Sequence, residues 1–593
     1  MVDYAAPLAD MRFVLRHVAG LEAVAALPGM EAADPELVDQ ILDEAARFAG
    51  GVLAPLNHAG DREGSRLENG VVRTPAGFRE AYRGFVDGGW NGIAFDPAHG
   101  GQGLPSLVAT AVSEMWSSAN MAFSLCPLLT QGAIELLSHH GSADQKAKYL
   151  PKMVSGEWTG TMNLTEPQAG SDLGGIRTRA VPAGDGTYRI TGQKIFITYG
   201  EHDLAENIIH MVLARTPEAP AGSRGISLFL VPRRMVGDDG APGARNDVRA
   251  VSVEHKLGIH ASPTCVLSFG DDGGAVGFRV GEENRGLECM FTMMNSARLA
   301  VGLEGVAIAE RAYQQARDYA RARIQSREVG GPAGGAPIVR HPDVRRMLLQ
   351  MRARTEAMRA LAYTVAAGLD SARHHPDPDE RARQQAFVDL MIPVVKAWST
   401  DLGVEVASTG VQVHGGVGFI EETGAAQHLR DARIAPIYEG TNGIQANDLV
   451  GRKIARDSGA AARALIDRMR ADLATLDGGE PLAAIGASVA DGIAALDEAT
   501  RWLVDAGNDD PRRPLATAVP YLHLLGTVAG GWLMARAAAA ACAMDDTGDG
   551  GFAAAKLATA RFYATHEMPL AAARARTVID GAAPVLAFEP DWL

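Results

Sequence analysis

This chain of 593 residues has little cysteine and no excess of positive charge. Its formal net charge is −15, which argues against a nonspecific nucleic-acid binder while leaving a local basic patch open. The cysteines show neither metal-ligand spacing nor a disulfide framework, a pattern that indicates a reducing, cytoplasmic location. They lie at positions Cys126, Cys265, Cys289 and Cys542.

The chain also lacks a convincing membrane span and a signal peptide. Its longest apolar stretches, such as residues 526–542, are rich in Ala and Gly, and that stretch contains Arg536. Asp3 and Asp10 stand near the N-terminus, where a signal peptide would have basic residues followed by an apolar run. We therefore expect a cytoplasmic protein without integral membrane association.

Two kinds of ligand motif are missing as well. No Gly-x-Gly-x-x-Gly motif follows a predicted strand, so a Rossmann nucleotide site is not indicated. His414 has no second metal ligand at a suitable spacing, and we interpret it as a packed or solvent-touching histidine. We expect no metal site.

The composition supports several cores, since 47% of the residues are hydrophobic and 21% are charged. Helical periodicity in residues 1–158 predicts an N-terminal helical domain, and long helical segments in residues 285–455 predict an antiparallel bundle. Short β-branched segments between turn residues predict a central antiparallel β domain in residues 159–284. Residues 456–593 are Ala-rich and add a further helical domain. The expected fold is α+β and mostly α.

Individual elements can be placed within these regions. Strands are predicted at residues 188–198, 208–214, 225–231, 248–253 and 266–269. Long helices are predicted at residues 299–323, 341–370 and 386–409, and a Gly/Pro insert at 329–337 is predicted to be a flexible loop.

The stretch with the clearest chemical interest is residues 430–445, RDARIAPIYEGTNGIQ. An apolar run delivers a single carboxylate, Glu439, directly before a Gly-containing turn. Burial raises the pKa of a carboxylate and makes it a stronger base once it is ionised. The alternative is an exposed Glu in a loop between helices.

A second stretch, residues 162–172, reads MNLTEPQAGSD. Its small residues leave backbone N–H groups and hydroxyls open to a phosphate or a polar ring. An ordinary polar loop is the alternative interpretation.

Six stretches, in their order and spacing, resemble the acyl-CoA dehydrogenase family. They are the Gly-rich loop at 99–104, LTEPQAGSD at 164–172, GQKIFIT at 192–198, NSAR at 295–298, QVHGGVGF at 412–419 and LRDARIAPIYEGT at 429–441. The resemblance covers roughly residues 35–455. It implies FAD bound between the β domain and the bundle, with help from a neighbouring subunit.

The resemblance also implies residue roles. Glu439 stands at the position of the catalytic base, and Ala297, where some relatives place the base, cannot titrate. Glu439 would take the α-proton of an acyl-CoA thioester while the β-hydrogen leaves as hydride to the flavin. The implied FAD-contacting positions are Leu164, Thr165, Gly170, Ser171, Phe196, Thr198 and Thr441, with Arg323, Gln412 and Gly416 reaching a neighbouring subunit's FAD. The implied substrate-contacting positions are Ser171, Asn295, Arg298 and Gly440.

Three positions depart from the family pattern. Ser326 replaces a common Phe and Gly443 replaces a polar residue, so the adenine end of the FAD site is less defined than the ring end. Asn295 replaces an acidic residue, so contacts to CoA are expected to differ.

The C-terminal extension and the opening YAAPLADMRFVL resemble long-form bacterial members. That branch includes enzymes acting on 3-methylmercaptopropionyl-CoA, and ordinary fatty acyl-CoA is the alternative substrate. The resemblance implies electron-transfer flavoprotein as the acceptor, and the extension implies a homodimer. An acyl-CoA oxidase, a DNA-associated flavoprotein and a purely structural helical protein remain alternatives. Acidic charge speaks against DNA binding.

Overall fold

The computed structural model describes residues 4–476, 479–544 and 551–592. The chain divides into two compact units. The helical unit comprises Met1–Ala46, Pro105–Ser118 and Val301–Leu593, and the sheet unit comprises Arg47–Leu104 and Ala119–Ala300.

Residues before Trp158 are mainly helical, as predicted, with one small β-hairpin added. The hairpin joins β1, Arg66–Glu68, to β2, Val71–Arg73. Helix α8 starts with a capping box between Ser142 and Gln145, which satisfies backbone donors of its first turn. The helices are α1 Leu8–Phe13, α2 Leu21–Ala25, α3 Pro35–Phe48, α4 Ala54–Glu63, α5 Phe78–Asp87, α6 Ser106–Ala119, α7 Met121–His140 and α8 Ala143–Ser155.

The middle of the chain forms an eight-stranded sheet in the order β10-β11-β5-β12-β7-β6-β3, with β4 beside β5. The expected antiparallel pairing holds except between β3 and β6, which are parallel. Strands β8 and β9 form a separate ribbon. The strands are β3 Trp158–Asn163, β4 Arg179–Pro182, β5 Tyr188–Thr198, β6 Asn207–Ala214, β7 Ser227–Pro232, β8 Arg234–Val236, β9 Pro242–Arg245, β10 Val248–Val253, β11 Thr264–Phe269 and β12 Ala275–Val280.

Three long helices build the bundle, and glycines let two of them approach closely. A Cβ on Gly305 would lie 2.3 Å from the carbonyl oxygen of Ser399, so α9 and α11 touch backbone to backbone there. The insert after α9 is closed at its base, where Gln325 N donates to Ala336 O at 3.0 Å. The helices are α9 Gly286–Ala322, α10 Pro342–His374, α11 Pro378–His414, α12 Ala425–Ala432 and α13 Asn442–Asp448.

The extension after the bundle is helical, as predicted. Gly526 on α17 packs against the Trp398 ring of α11, because a Cβ there would lie 2.5 Å from Trp398 Cγ. Both α7 and α17 have the length and apolar composition of a membrane span, yet 83% of each apolar window is buried, as in core helices. The helices are α14 Ala460–Ala474, α15 Gly479–Asp509, α16 Arg512–Ala516, α17 Ala518–Cys542, α18 Phe552–His566, α19 Leu570–Asp580 and α20 Ala582–Ala587.

Candidate active site

Glu439 lies in the short turn between α12 and α13. It has a left-handed backbone with φ of 55°, and Gly440 follows with φ of 83°. A left-handed conformation is unfavourable for a non-glycine residue, and such strain is often found at functional sites. The Glu439 side chain is half-buried.

Two side chains hold this turn through its carbonyl oxygens. Lys396 on α11 is fully buried and donates to Gly440 O at 2.9 Å and to Asn442 Oδ1 at 2.8 Å. Gln445 donates from Nε2 to Glu439 O at 3.2 Å and to Gly440 O at 3.1 Å. The turn therefore has a fixed conformation, which is what positioning a catalytic group requires.

Thr441 and Tyr438 flank the same turn. Thr441 is the N-cap of α13, and its hydroxyl accepts from Ile444 N at 3.4 Å. The Tyr438 hydroxyl donates to the carboxyl group of Glu304 on α9. The structure thus brings the predicted residues Glu439, Gly440 and Thr441 together.

In the sheet unit, an ion pair shapes the stretch that carries Leu164 and Thr165. Lys194 Nζ lies 2.8 Å from Glu166 Oε1 and also donates to Leu164 O at 2.9 Å. Burial opposes ionisation of Glu166, but Lys194 and hydrogen bonds lower its pKa to about 2. Burial lowers the pKa of Lys194 to about 8 against the attraction of Glu166, so both groups are charged at neutral pH.

A β-bulge turns Phe196 outward. The register between β5 and β11 shifts between Leu267, paired with Lys194, and Cys265, paired with Ile197. Phe196 lies within this irregularity with φ of 58° and is 59% exposed. Bulges often re-aim a side chain beside a functional site. Thr198, two residues on, is half-buried.

The Thr165 and Phe196 segments are neighbours in the sheet unit. Ile195 N donates to Thr165 O at 3.0 Å. Gly170 and Ser171 follow in an exposed turn, which a pair of hydrogen bonds between Glu166 and Ala169 closes. The predicted cofactor positions Leu164, Thr165, Phe196 and Thr198 thus lie on two adjacent segments. Gly170 and Ser171 lie in the turn that follows the first of these segments.

Two predicted substrate positions contact each other on α9. Arg298 is buried, with 6% exposure. Its Nη1 donates to Asn295 Oδ1 at 3.3 Å. Asn295 thus supplies a neutral oxygen to the arginine at the position where the family pattern has a carboxylate.

The remaining predicted positions lie at a different end of the bundle. His414 stacks on Tyr319 with ring centroids 4.4 Å apart, which joins the C-terminal ends of α9 and α11, near Arg323 and Gln412. Lys396, which holds the Glu439 turn, precedes His414 by 18 residues on α11, or about 27 Å of helix. Arg323, Gln412 and Gly416 are all exposed.

The sequence interpretation assigned no contact to four buried charged residues that touch the segments of this site, namely Glu166, Lys194, Lys396 and Glu304. Lys194 lies on the same strand face as the buried Ile190, four residues earlier. Lys396 and Glu304 are single charges in apolar helical runs. A single charged residue at a predicted core position was the signal that could have found these contacts, because such residues are rarely fully buried unless they are paired.

Four family models match consecutive parts of the chain. They are the N-terminal, middle and C-terminal domains of acyl-CoA dehydrogenase at residues 35–157, 161–271 and 284–454, and an acetyl-CoA dehydrogenase C-terminal-like model at residues 465–589. The matches cover most of the chain and include the extension.

Individual proteins are similar over nearly the full length. A 3-methylmercaptopropionyl-CoA dehydrogenase of Ruegeria pomeroyi is 52% identical, over 95% of this chain and 96% of its own. A broad-specificity linear acyl-CoA dehydrogenase of Mycobacterium tuberculosis is 34% identical over 96% of both chains. A crystal structure of an acyl-CoA dehydrogenase complexed with FAD from Bacillus anthracis shares the fold, with a TM-score of 0.73 and 20% identity, over all of this chain and 94% of that one.

The fold and the matches define an FAD-dependent oxidoreductase of the acyl-CoA thioester class. The chain belongs to the acyl-CoA dehydrogenase family. It is an acyl-CoA dehydrogenase of the form that carries an extra C-terminal helical domain, which confirms the fold class and the general activity predicted from the sequence.

Proposed function

We propose that Glu439 is the base that removes the α-proton of an acyl-CoA thioester. The observation that carries this proposal is the strained turn, in which half-buried Glu439 itself has a left-handed backbone. Gln445 donates to its carbonyl oxygen and Lys396 to that of Gly440. The rigid turn keeps the carboxylate in one place, so little orientation entropy is lost on reaction.

A thioester α-proton is weakly acidic, so the base needs help from hydrogen-bond donors. The backbone N–H of Glu439 is the donor that we propose for the thioester carbonyl, where it would stabilise the enolate charge. One preorganised donor of this kind is typically worth about 3 kcal/mol. Bound FAD supplies the acceptor for the β-hydride.

The residues of the sheet unit fit the ring end of FAD. Phe196 presents an exposed aromatic side chain from a bulge, a surface on which an aromatic ring can pack. Thr198 offers a hydroxyl, and the Glu166–Lys194 pair fixes the backbone of Leu164 and Thr165. Gly170, Ser171 and Thr441 are the further positions that we propose for FAD.

Arg323, Gln412 and Gly416 are proposed to hold the FAD of a neighbouring subunit. Their exposure and their place at the Tyr319–His414 end of the bundle, far along α11 from Lys396, support this role. The proposal requires at least a homodimer. Light scattering of the purified protein tests it, and a monomer would contradict it.

Ser171, Asn295, Arg298 and Gly440 are proposed to contact the acyl-CoA. The preferred substrate is 3-methylmercaptopropionyl-CoA, which the 52% identity with the Ruegeria pomeroyi enzyme supports. A fatty acyl-CoA is the alternative, supported by the 34% identity with the Mycobacterium tuberculosis enzyme. An anaerobic screen of acyl-CoAs, followed by flavin absorbance, separates the two.

The Glu439→Gln variant tests the base directly. We expect it to retain FAD and acyl-CoA affinity but to lose flavin bleaching by acyl-CoA, because an amide cannot accept the α-proton. The matched control is Glu422→Gln, which changes an exposed glutamate and should bleach normally. Bleaching of Glu439→Gln at the wild-type rate would exclude Glu439 as the base.

We also propose electron-transfer flavoprotein as the electron acceptor and the cytoplasm as the location. Hydrogen peroxide formation without an added acceptor would favour an oxidase instead. The division into residues 1–158, 159–284, 285–455 and 456–593 likewise stays a proposal, supported by the similar limits of the four family matches. Limited proteolysis tests these limits.

A further inference from the structure

Glu304 on α9 is a fully buried carboxyl group with 0% exposure. It lies beside Gly302 and Gly305, where α9 meets α11 so closely that a Cβ on either glycine would be within 3 Å of the α11 backbone. A carboxylate in such a place needs either a cation or a proton to be tolerated.

Only one oxygen of Glu304 is paired within the described residues. The Tyr438 hydroxyl donates to Oε2, whereas Oε1 has no hydrogen-bond partner there. Lys396, whose positive charge favours the ionised form of Glu304, donates to Gly440 O and Asn442 Oδ1 at 2.9 and 2.8 Å. Lys396 therefore serves the Glu439 turn.

The negative charge that acts on Glu304 is that of Glu439. Burial raises the pKa of Glu304 to about 8, and repulsion from Glu439 adds to the rise, while Tyr438 and Lys396 act against it. Burial also raises the pKa of Tyr438, with Glu304, Glu439 and Asp431 contributing. At neutral pH Glu304 is thus a neutral acid and Tyr438 a neutral phenol.

We propose that Glu304, in its protonated form, is a positioning residue for the reaction, which holds Tyr438 and through it the turn that carries Glu439. The inference rests on the proposed role of Glu439. The proton matters because an ionised Glu304 would place a second negative charge beside Glu439 and beside the enolate that forms on the substrate. Loss of that proton should therefore slow the reaction.

The test is the pH dependence of kcat/KM for the FAD-loaded enzyme. For the wild type we expect a decline of roughly tenfold per pH unit above about pH 8. Glu304→Gln keeps the acceptor for Tyr438 but cannot ionise, so this decline should disappear while activity at pH 7 stays within about threefold. An unchanged alkaline decline in Glu304→Gln would overturn the proposal.

Tyr438→Phe gives a second measurement that does not depend on the first variant folding. The Tyr438 hydrogen bond favours the ionised form of Glu304, so its removal should move the alkaline decline to higher pH. We also expect kcat to fall by roughly tenfold with little change in KM, because the turn is less well held. An unmoved decline with unchanged kcat would contradict the positioning role.

The Glu439→Gln variant separates this inference from the proposed function. If acyl-CoA bleaches the flavin of Glu439→Gln normally, Glu439 is not the base, and the positioning role proposed for Glu304 is wrong as well. If Glu439→Gln is inactive but Glu304→Gln keeps the wild-type alkaline decline, only the role of Glu304 is wrong. Glu422→Gln should show the wild-type profile in both cases.

Discussion

Glu304 and Glu310 are six residues apart on α9 and are both buried, yet their surroundings are opposite. Glu310 Oε2 lies 2.8 Å from Arg359 Nη2, and its Oε1 accepts from Gln314. Glu304 has one phenol as its hydrogen-bond partner. On the same helix, Glu310 is thus paired with a cation, whereas Glu304 is neutralised by a proton.

Arg359 is the centre of the paired region. It contacts Asp10, Glu114 and Glu310 at 2.6, 2.6 and 2.8 Å, so α1, α6, α9 and α10 meet at one guanidinium. Lys556 on α18 contacts Asp10 at 2.6 Å and Glu356 at 2.7 Å. This network joins the N-terminal segment, the bundle and the extension within the helical unit.

The network brings buried groups of both charge signs together. Four carboxyl groups, Asp10, Glu114, Glu310 and Glu356, meet three cations, Arg359, Lys556 and Arg352. Burial raises the pKa of Glu114, while Arg359 and the hydroxyl of Tyr363 act against the rise. The comparison shows that each carboxyl group of this network is paired with a cation, whereas the unpaired carboxyl group of Glu304 lies beside the proposed base.

The largest expected effect is that of Arg359→Met. It leaves three buried carboxyl groups without their shared cation, and breaking such a network typically costs about 3–5 kcal/mol. Urea unfolding of the FAD-loaded protein measures the free energy of unfolding. Arg346→Met on the same helix removes an exposed pair with Asp343 and should cost less than about 1 kcal/mol. Equal losses of unfolding free energy in the two variants would show that the buried network contributes no more to stability than an exposed ion pair.

Lys556→Met should lower the free energy of unfolding by about 3 kcal/mol, which is less than the loss expected for Arg359→Met. Asp10 keeps Arg359 and Glu356 keeps Arg352, whose Nε lies 2.6 Å from Glu356 Oε1. The control is Arg561→Met, which changes an exposed residue on the same helix. Urea unfolding measures both. A cost below about 1 kcal/mol for Lys556→Met would show that the extension does not depend on this contact.

Acid should weaken the paired region. Burial opposes ionisation of Asp10, but Lys556 and Arg359 lower its pKa from 3.8 to about 2. A lowered pKa stabilises the fold above the unfolded value near 3.8, and that contribution is lost as pH falls towards 2. A pKa lowered this far corresponds to about 2.5 kcal/mol. About 1 kcal/mol of this contribution should be lost between pH 6 and pH 3, because pH 3 is still above the folded-state pKa. Unfolding at the two pH values measures the loss, and Asp10→Asn should show a smaller pH dependence than the wild type.

The smallest expected effect is that of Glu304→Gln on stability. Replacing a neutral acid by an amide keeps the acceptor for Tyr438, so the free energy of unfolding at pH 7 should change by less than about 1 kcal/mol. Chemical denaturation checks this. A loss of several kcal/mol would mean that Glu304 is ionised and paired, and the contrast with Glu310 would disappear.

Local patterns predicted much of the fold. The strands at 188–198 and 248–253 have the predicted bounds, because alternation and β-branched residues mark them. The bounds of strand β3 were not predicted, because it is buried almost throughout and pairs in parallel with β6, which removes the alternation. Helix α9 begins at Gly286, where the predicted helical region begins at residue 285, but 13 residues before the start predicted for its long helix at 299.

The site was predictable in part for a similar reason. Glu439, Gly440 and Thr441 are consecutive, so one motif reveals all three. The contacts of Lys396 with Gly440 and of Tyr438 with Glu304 join residues 44 and 134 positions apart. No local pattern encodes such pairs, because they arise when separate helices pack.

By itself the sequence determined the order of helical and strand regions, the carboxylate at 439 and the family to which its motifs belong, because these depend on residue type and spacing along the chain. Only the tertiary structure decided which buried carboxyl groups have a cation and which keep a proton. The physical reason is that ionisation depends on the dielectric surroundings and on charges brought near by packing, and both exist only once the helices have met.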